Sequence, residues 1–95
     1  MRSSVAIQVL PLGNLTKDEI YQLVDMAIEE LKHPELKIMV CPFETVVEGP
    51  EELLWEVIKK AHQAVIKHHP SCASYIKFFS APDLGTTEEK LSRHS

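Results

Sequence analysis

Between Pro42 and Gly49 the segment PFETVVEG gathers two carboxylates, Glu44 and Glu48, the Thr45 hydroxyl and the Phe43 ring within eight residues. Carboxylates accept hydrogen bonds and attract cations, a hydroxyl both donates and accepts, and an aromatic face receives a cation or a heterocycle. The same residues also read as a turn followed by a helix start, with Glu48 near the helix's first amides. On residue types alone both readings stand. The histidines point to less. His62 precedes His68 by six residues and His69 by seven, whereas a zinc-binding helix needs two His one turn apart. His68 and His69 therefore read as a polar C-terminal cap, and no metal site is predicted. Cys41 and Cys72 lack a CxxC spacing and are expected to be free thiols, small hydrophobes within strands. Neither GxSxG, GxGxxG nor GxxxxGK occurs, no acid–base or nucleophile pair is visible, and a non-enzymatic role without a cofactor is expected. Trp55 falls off the apolar stripe of its helix and reads as a half-buried side chain at a subunit contact. Lys77 reads as the solubility charge of an edge strand.

The chain that must position these groups has 95 residues, 44% of them hydrophobic and 25% charged, with a formal charge of −4. That is one domain, residues 1–95, folded around a single core, too small for a deep private cleft and suited to pairing with copies of itself. The acidic balance, with no Lys/Arg cluster, argues against nucleic acid as a partner. No stretch approaches the ~18 apolar residues of a membrane-spanning helix. Gln8 and Pro11 interrupt the N-terminal apolar run too early for an export signal, so a cytoplasmic location is expected.

Residues 4–12 (SVAIQVLPL) read as a strand covered on both faces, with Val5, Ile7 and Val9 on one side and Ala6, Gln8 and Leu10 on the other. Thr16 and Glu19 have capping-box spacing. Behind them Ile20, Leu23, Val24, Ala27, Ile28 and Leu31 repeat at helical intervals until His33-Pro34 ends the helix. Residues 36–43 and 44–48 read as two strands broken near Pro42. Pro50 then opens a second helix as its first residue, with Leu54, Val57, Ile58, Ala61 and Val65 as the buried stripe. Residues 72–81 read as a last strand, and Thr86 with Glu89 as the cap of a short C-terminal helix through Leu91. The order is β-α-β-β-α-β. Two amphipathic helices can cover only one face of a four-stranded antiparallel sheet, which is an α+β, ferredoxin-like sandwich with its first and third strands central. The other face would carry Gln8, Leu10, Tyr75, Lys77 and Phe79. That surface is apolar enough to predict contact with another copy of the chain.

The T-V-V-E-G segment with its Pro-Phe start, the Val9–Gly13 end of the first strand (VLPLG) and the Glu88-Glu89-Lys90 tail resemble the small YkoF-like thiamine-binding proteins. The similarity runs over nearly the whole chain. It implies a ferredoxin-like subunit assembled into dimers or tetramers, cytosolic and non-enzymatic, that binds thiamine or its hydroxymethylpyrimidine half. The resemblance carries ligand roles onto Thr45 and Glu48, framed by Pro42, Phe43 and Gly49. The amide of Gln8 and the ring of Phe43 suit the same ligand chemically. After the last strand the chain has Ser80-Ala81-Pro82-Asp83-Leu84-Gly85, where family members commonly carry a charged segment. The alternative expectation is a structural or regulatory oligomer that binds a partner protein and no vitamin.

Overall fold

The structure is a computed structural model and describes residues 2–82. The Val- and Ile-rich first run forms β1 (Arg2–Pro11). Helix α1 (Lys17–Leu31) starts at a complete capping box. The Glu19 amide donates to Thr16 Oγ1 and the Thr16 amide donates to Glu19 Oε1, both at 3.1 Å. Strands β2 (Lys37–Val40) and β3 (Thr45–Pro50) form a hairpin, closed where the Cys41 amide donates to the Glu44 carbonyl across Pro42-Phe43. Helix α2 (Glu51–Ile66) and β4 (Cys72–Ser80) complete the described chain. The predicted C-terminal helix lies outside the described residues.

The sheet order is β2-β3-β1-β4, antiparallel throughout, so β1 and β3 are central as expected. Side chains alternate across a strand, so the register sorts the residues into two faces. Val5, Ile7 and Val47 face the helices and are buried with Leu23, Ala27 and Leu31 of α1 and Leu54, Val57, Ile58, Ala61 and Val65 of α2. Ala6, Gln8, Leu10, Tyr75, Lys77 and Phe79 take the opposite, outer face. The ferredoxin-like expectation holds.

Two local boundaries differ from expectation. Cys41 stands just beyond β2 rather than inside a strand, because Pro42 cannot continue the ladder. Pro50 is the extended N-cap of α2 (φ −60°, ψ 133°) and the last residue of β3, rather than the first helical residue. Both cysteines are free. Gly49 sits where β3 passes the entry to β2. A Cβ there would lie 2.4 Å from Leu36 Cδ2 and 3.3 Å from the Glu35 carbonyl oxygen, so the close approach requires glycine.

Candidate functional site

The site follows from a difference in strand length. Pairing of β1 with β3 ends at Ile7–Thr45, whereas pairing with β4 continues to Pro11–Cys72. Beyond Ile7, β1 therefore has a neighbour on one side only. The notch on its other side is closed by the Pro42-Phe43 turn and roofed by α1, which leaves a cleft of about 270 Å³. Its walls are largely apolar: Ile7, Val9 and Leu10 from β1, Ile20, Val24 and Ile28 from α1, and Val40 from β2. Gln8, Tyr21, Phe43, Glu44 and Thr45 bring the polar and aromatic groups. Five of the six residues of the apolar stripe expected to be core on α1, all but Leu23, thus line the cleft. Ile20, Val24 and Ile28 are only partly buried, while Leu23, Ala27 and Leu31 are fully so.

Thr45 faces the helices beside Ile7 and is 6% exposed. Phe43, on the turn, is 83% exposed and stands at the rim. Gln8 belongs by register to the outer face, opposite Tyr75, and borders the cleft where the sheet is interrupted. Glu44 borders it too, and its Oε1 accepts from Lys77 Nζ at 3.1 Å. Lys77 is thus an ion-pair partner as well as an edge-strand charge.

Glu48 requires a correction to the expectation that it and Thr45 form one site. Three residues along a strand reverse the face, so Thr45 points toward the helices and Glu48 away from them. Glu48 is 4% exposed, lies between Lys37 of β2 and Ser4 of β1 in the cross-strand register, and takes no part in the cleft. The first turn of α2 holds a different acid: Glu51 Oε1 accepts from Ser80 Oγ, which meets the buried Ser3 hydroxyl at 2.6 Å.

The remaining candidates have structural partners. His69 reaches from beyond α2 to donate to the Leu12 carbonyl, and His62 Nδ1 bonds Ser74 Oγ. These bonds tie β1 and β4 to α2 and its end, more than a helix cap alone would do. The Trp55 indole stacks on Phe78 with centroids 4.1 Å apart and 9° between planes. Burial pushes the Cys72 thiol above its ordinary pKa, the reverse of what a nucleophile needs. Among the described residues no three His, Cys, Asp or Glu side chains are grouped to hold a metal.

The model of the family described as "Thiamine-binding protein" matches residues 5–95. The chain belongs to that family. Among curated relatives, UPF0045 protein CPE1503 of Clostridium perfringens is 33% identical over 92 residues, which is 96% of this chain and 95% of that protein. Protein SP2199 of Streptococcus pneumoniae, at 30% identity, superposes with a TM-score of 0.81 over 97% of this chain and 99% of that one. A Thermotoga maritima protein, TM0486, described as a candidate for thiamine biosynthesis or salvage, has a TM-score of 0.84 over 100% of both chains. At 23% identity it shows the fold alone. The resemblance carried by Pro42–Gly49 and Val9–Gly13 is therefore correct for the family, and both segments lie at the cleft or lead out of it.

Proposed function

We propose that the protein binds thiamine or its hydroxymethylpyrimidine half without transforming it, in the cytoplasm, as a self-associating ferredoxin-like domain with no cofactor of its own. The observation that carries this reading is the cleft between α1 and the β2–β3 turn in a chain of the thiamine-binding family. Apolar walls with a few convergent polar groups are what a small-molecule site requires. The volume of about 270 Å³ lies just under the ~300–1,000 Å³ usual for drug-sized ligands, which favours a small planar one. The Thr45 hydroxyl answers a heterocyclic nitrogen or amine, the exposed Phe43 ring offers a face to the thiazolium, and Glu44 supplies an anionic neighbour. Self-association is supported by Tyr75 and Phe79, both exposed on the outer face.

Calorimetric titration with thiamine and with hydroxymethylpyrimidine tests the reading. Heat saturating at one ligand per chain supports it, and the melting temperature must rise with ligand concentration by mass action. No heat with either compound at millimolar concentration overturns it and leaves the partner-protein alternative.

A further inference from the structure

The register determines where the main chain of β1 points inside the notch. In an antiparallel ladder each residue directs its N–H and C=O to the same side, and the side alternates along the strand. The Leu12 amide donates to the Ser71 carbonyl, one step beyond the Pro11–Cys72 pair. Leu12, Leu10, Gln8 and Ala6 therefore turn their polar groups toward β4. Val5, Ile7, Val9 and Pro11 turn theirs toward β3. Proline supports this assignment twice. Pro11 lacks an amide and sits where β1 has no β3 partner, and Pro50 of β3 faces Arg2, which bonds the other way. Val5 and Ile7 meet Val47 and Thr45. Past the last pair, Ile7–Thr45, Val9 is the first residue that turns its main chain to the β3 side, so its N–H and C=O are directed into the cleft that its own side chain helps to line.

We propose that the Val9 main chain is a specificity-determining element of the cleft. Its N–H donates to a ring nitrogen, and its C=O accepts from the adjacent exocyclic amine of an aminopyrimidine. This rests on the reading of the cleft as a thiamine site and adds what selects the ligand there. A donor and acceptor side by side on one residue match the acceptor and donor side by side on the 4-aminopyrimidine edge. They oppose the 4-oxo edge, where ring N–H meets N–H and carbonyl meets carbonyl. An added peptide strand fits less well, because strand addition needs a continuing row of donors. The next residue facing the notch is Pro11, which has none.

Proline also makes the test possible. The Val9 amide is outside the β1–β4 ladder, as Pro11 is, so Val9→Pro deletes the notch-facing donor and leaves that ladder intact. Val9→Ala trims the side chain and keeps the amide. The probes are hydroxymethylpyrimidine and its 4-oxo analogue, titrated calorimetrically into the full-length protein. The wild type should prefer the amino compound roughly 10- to 100-fold, the scale of one or two polar groups left unpaired. Val9→Ala should retain the preference and Val9→Pro should reduce it to within about threefold. Should Val9→Pro fail to fold, amide exchange in the wild type decides. The Val9 amide should exchange much faster than those of Gln8 and Leu10 in free protein and become protected when hydroxymethylpyrimidine saturates. A folded Val9→Pro variant with its preference intact, or a Val9 amide unmoved by saturating ligand, overturns the main-chain role and leaves thiamine binding standing. A wild type that binds neither probe nor thiamine at millimolar concentration overturns both.

Discussion

Thr45 and Glu48 stand three residues apart on β3, and their opposite faces separate two substitutions that adjacency in sequence would group together. Thr45→Val keeps the shape and removes the hydroxyl at the cleft. Losing one hydrogen bond of about 1–1.5 kcal/mol, it should weaken thiamine binding about tenfold at ~1.4 kcal/mol per decade. Glu48→Gln alters a group on the far side of the sheet and should leave affinity within about twofold, on the same scale. Calorimetry on the two variants checks both numbers, and a tenfold loss for Glu48→Gln would mean that the ligand does not occupy the cleft. At this scale the sequence was informative about chemistry and misleading about place. PFETVVEG contains four residues that border the cleft (Pro42, Phe43, Glu44 and Thr45), and the period-two rule was enough to exclude Glu48 from their company. The apolar wall was hidden for another reason. A helical stripe of Ile and Val has the same periodicity whether it meets a core or a cavity. Only the tertiary structure shows that Ile20, Val24 and Ile28 are half-buried and Leu23, Ala27 and Leu31 fully buried.

Elements depend on their ends. The capping box of α1 holds two of the helix's orphan amides, and Thr16→Ala should lower stability by about 1 kcal/mol, measured by denaturant unfolding. Glu19 has its pKa lowered, first by the Thr16 amide and then by the Thr16 hydroxyl, with a small opposing effect of burial. A carboxyl whose folded pKa lies below its unfolded value contributes stability above the unfolded value and loses it as pH falls through the folded one. Wild type should therefore destabilise more than Glu19→Gln as pH drops below the ordinary carboxylate range, around 4.3, and the two melting curves should converge there. The β3–β2 crossing makes a second demand. Gly49→Ala drives a methyl to 2.4 Å from Leu36 Cδ2 and 3.3 Å from a backbone oxygen. Overpacking of this kind costs about 1–3 kcal/mol, and the lower midpoint should appear with an unchanged denaturant slope. Element order and type were readable because caps, helical stripes and Pro-bounded strands each indicated the same arrangement. Their lengths were less so. That β1 outruns β3, which creates the notch, depends on where a proline-containing turn falls in three dimensions, and no local preference encodes it.

At the scale of the whole molecule the two helices cover one face of the sheet, and the other carries Tyr75 at 60% and Phe79 at 56% exposure. Aromatic side chains exposed this far are the kind that protein interfaces bury at their centres. The register sets Tyr75 beside Gln8, with Leu10 and Ala73 as the next pair on the same face, so any contact there is continuous with the free end of β1. The face is not uniformly apolar. The Lys77–Glu44 ion pair crosses it, and Lys37 and Glu48 stand opposite each other at its other end. A second copy related by a twofold axis could bury the aromatic centre and leave the Lys77–Glu44 ion pair at a hydrated rim, the usual anatomy of a homodimer. Tyr75→Asp tests this more cleanly than a change at Leu10, which also lines the cleft. Tyr75 is exposed in the single subunit, so the substitution should alter subunit stability by no more than about 0.5 kcal/mol. An unpaired charge buried in an interface costs about 3–5 kcal/mol, enough to dissociate a micromolar assembly. Light scattering should give an oligomer for the wild type and the mass of one chain for Tyr75→Asp, with an unchanged circular dichroism spectrum. A wild type that is monomeric at micromolar concentration removes the assembly. A variant that stays oligomeric moves the contact elsewhere, to the free edge of β4 or the exposed flank where Trp55 stacks on Phe78. Thiamine affinity of the monomeric variant then separates the two properties: if it equals that of the wild type, each subunit carries a complete site. If it falls more than tenfold with Thr45 and the cleft untouched, the neighbouring copy closes the cleft where the sheet is interrupted beside Gln8.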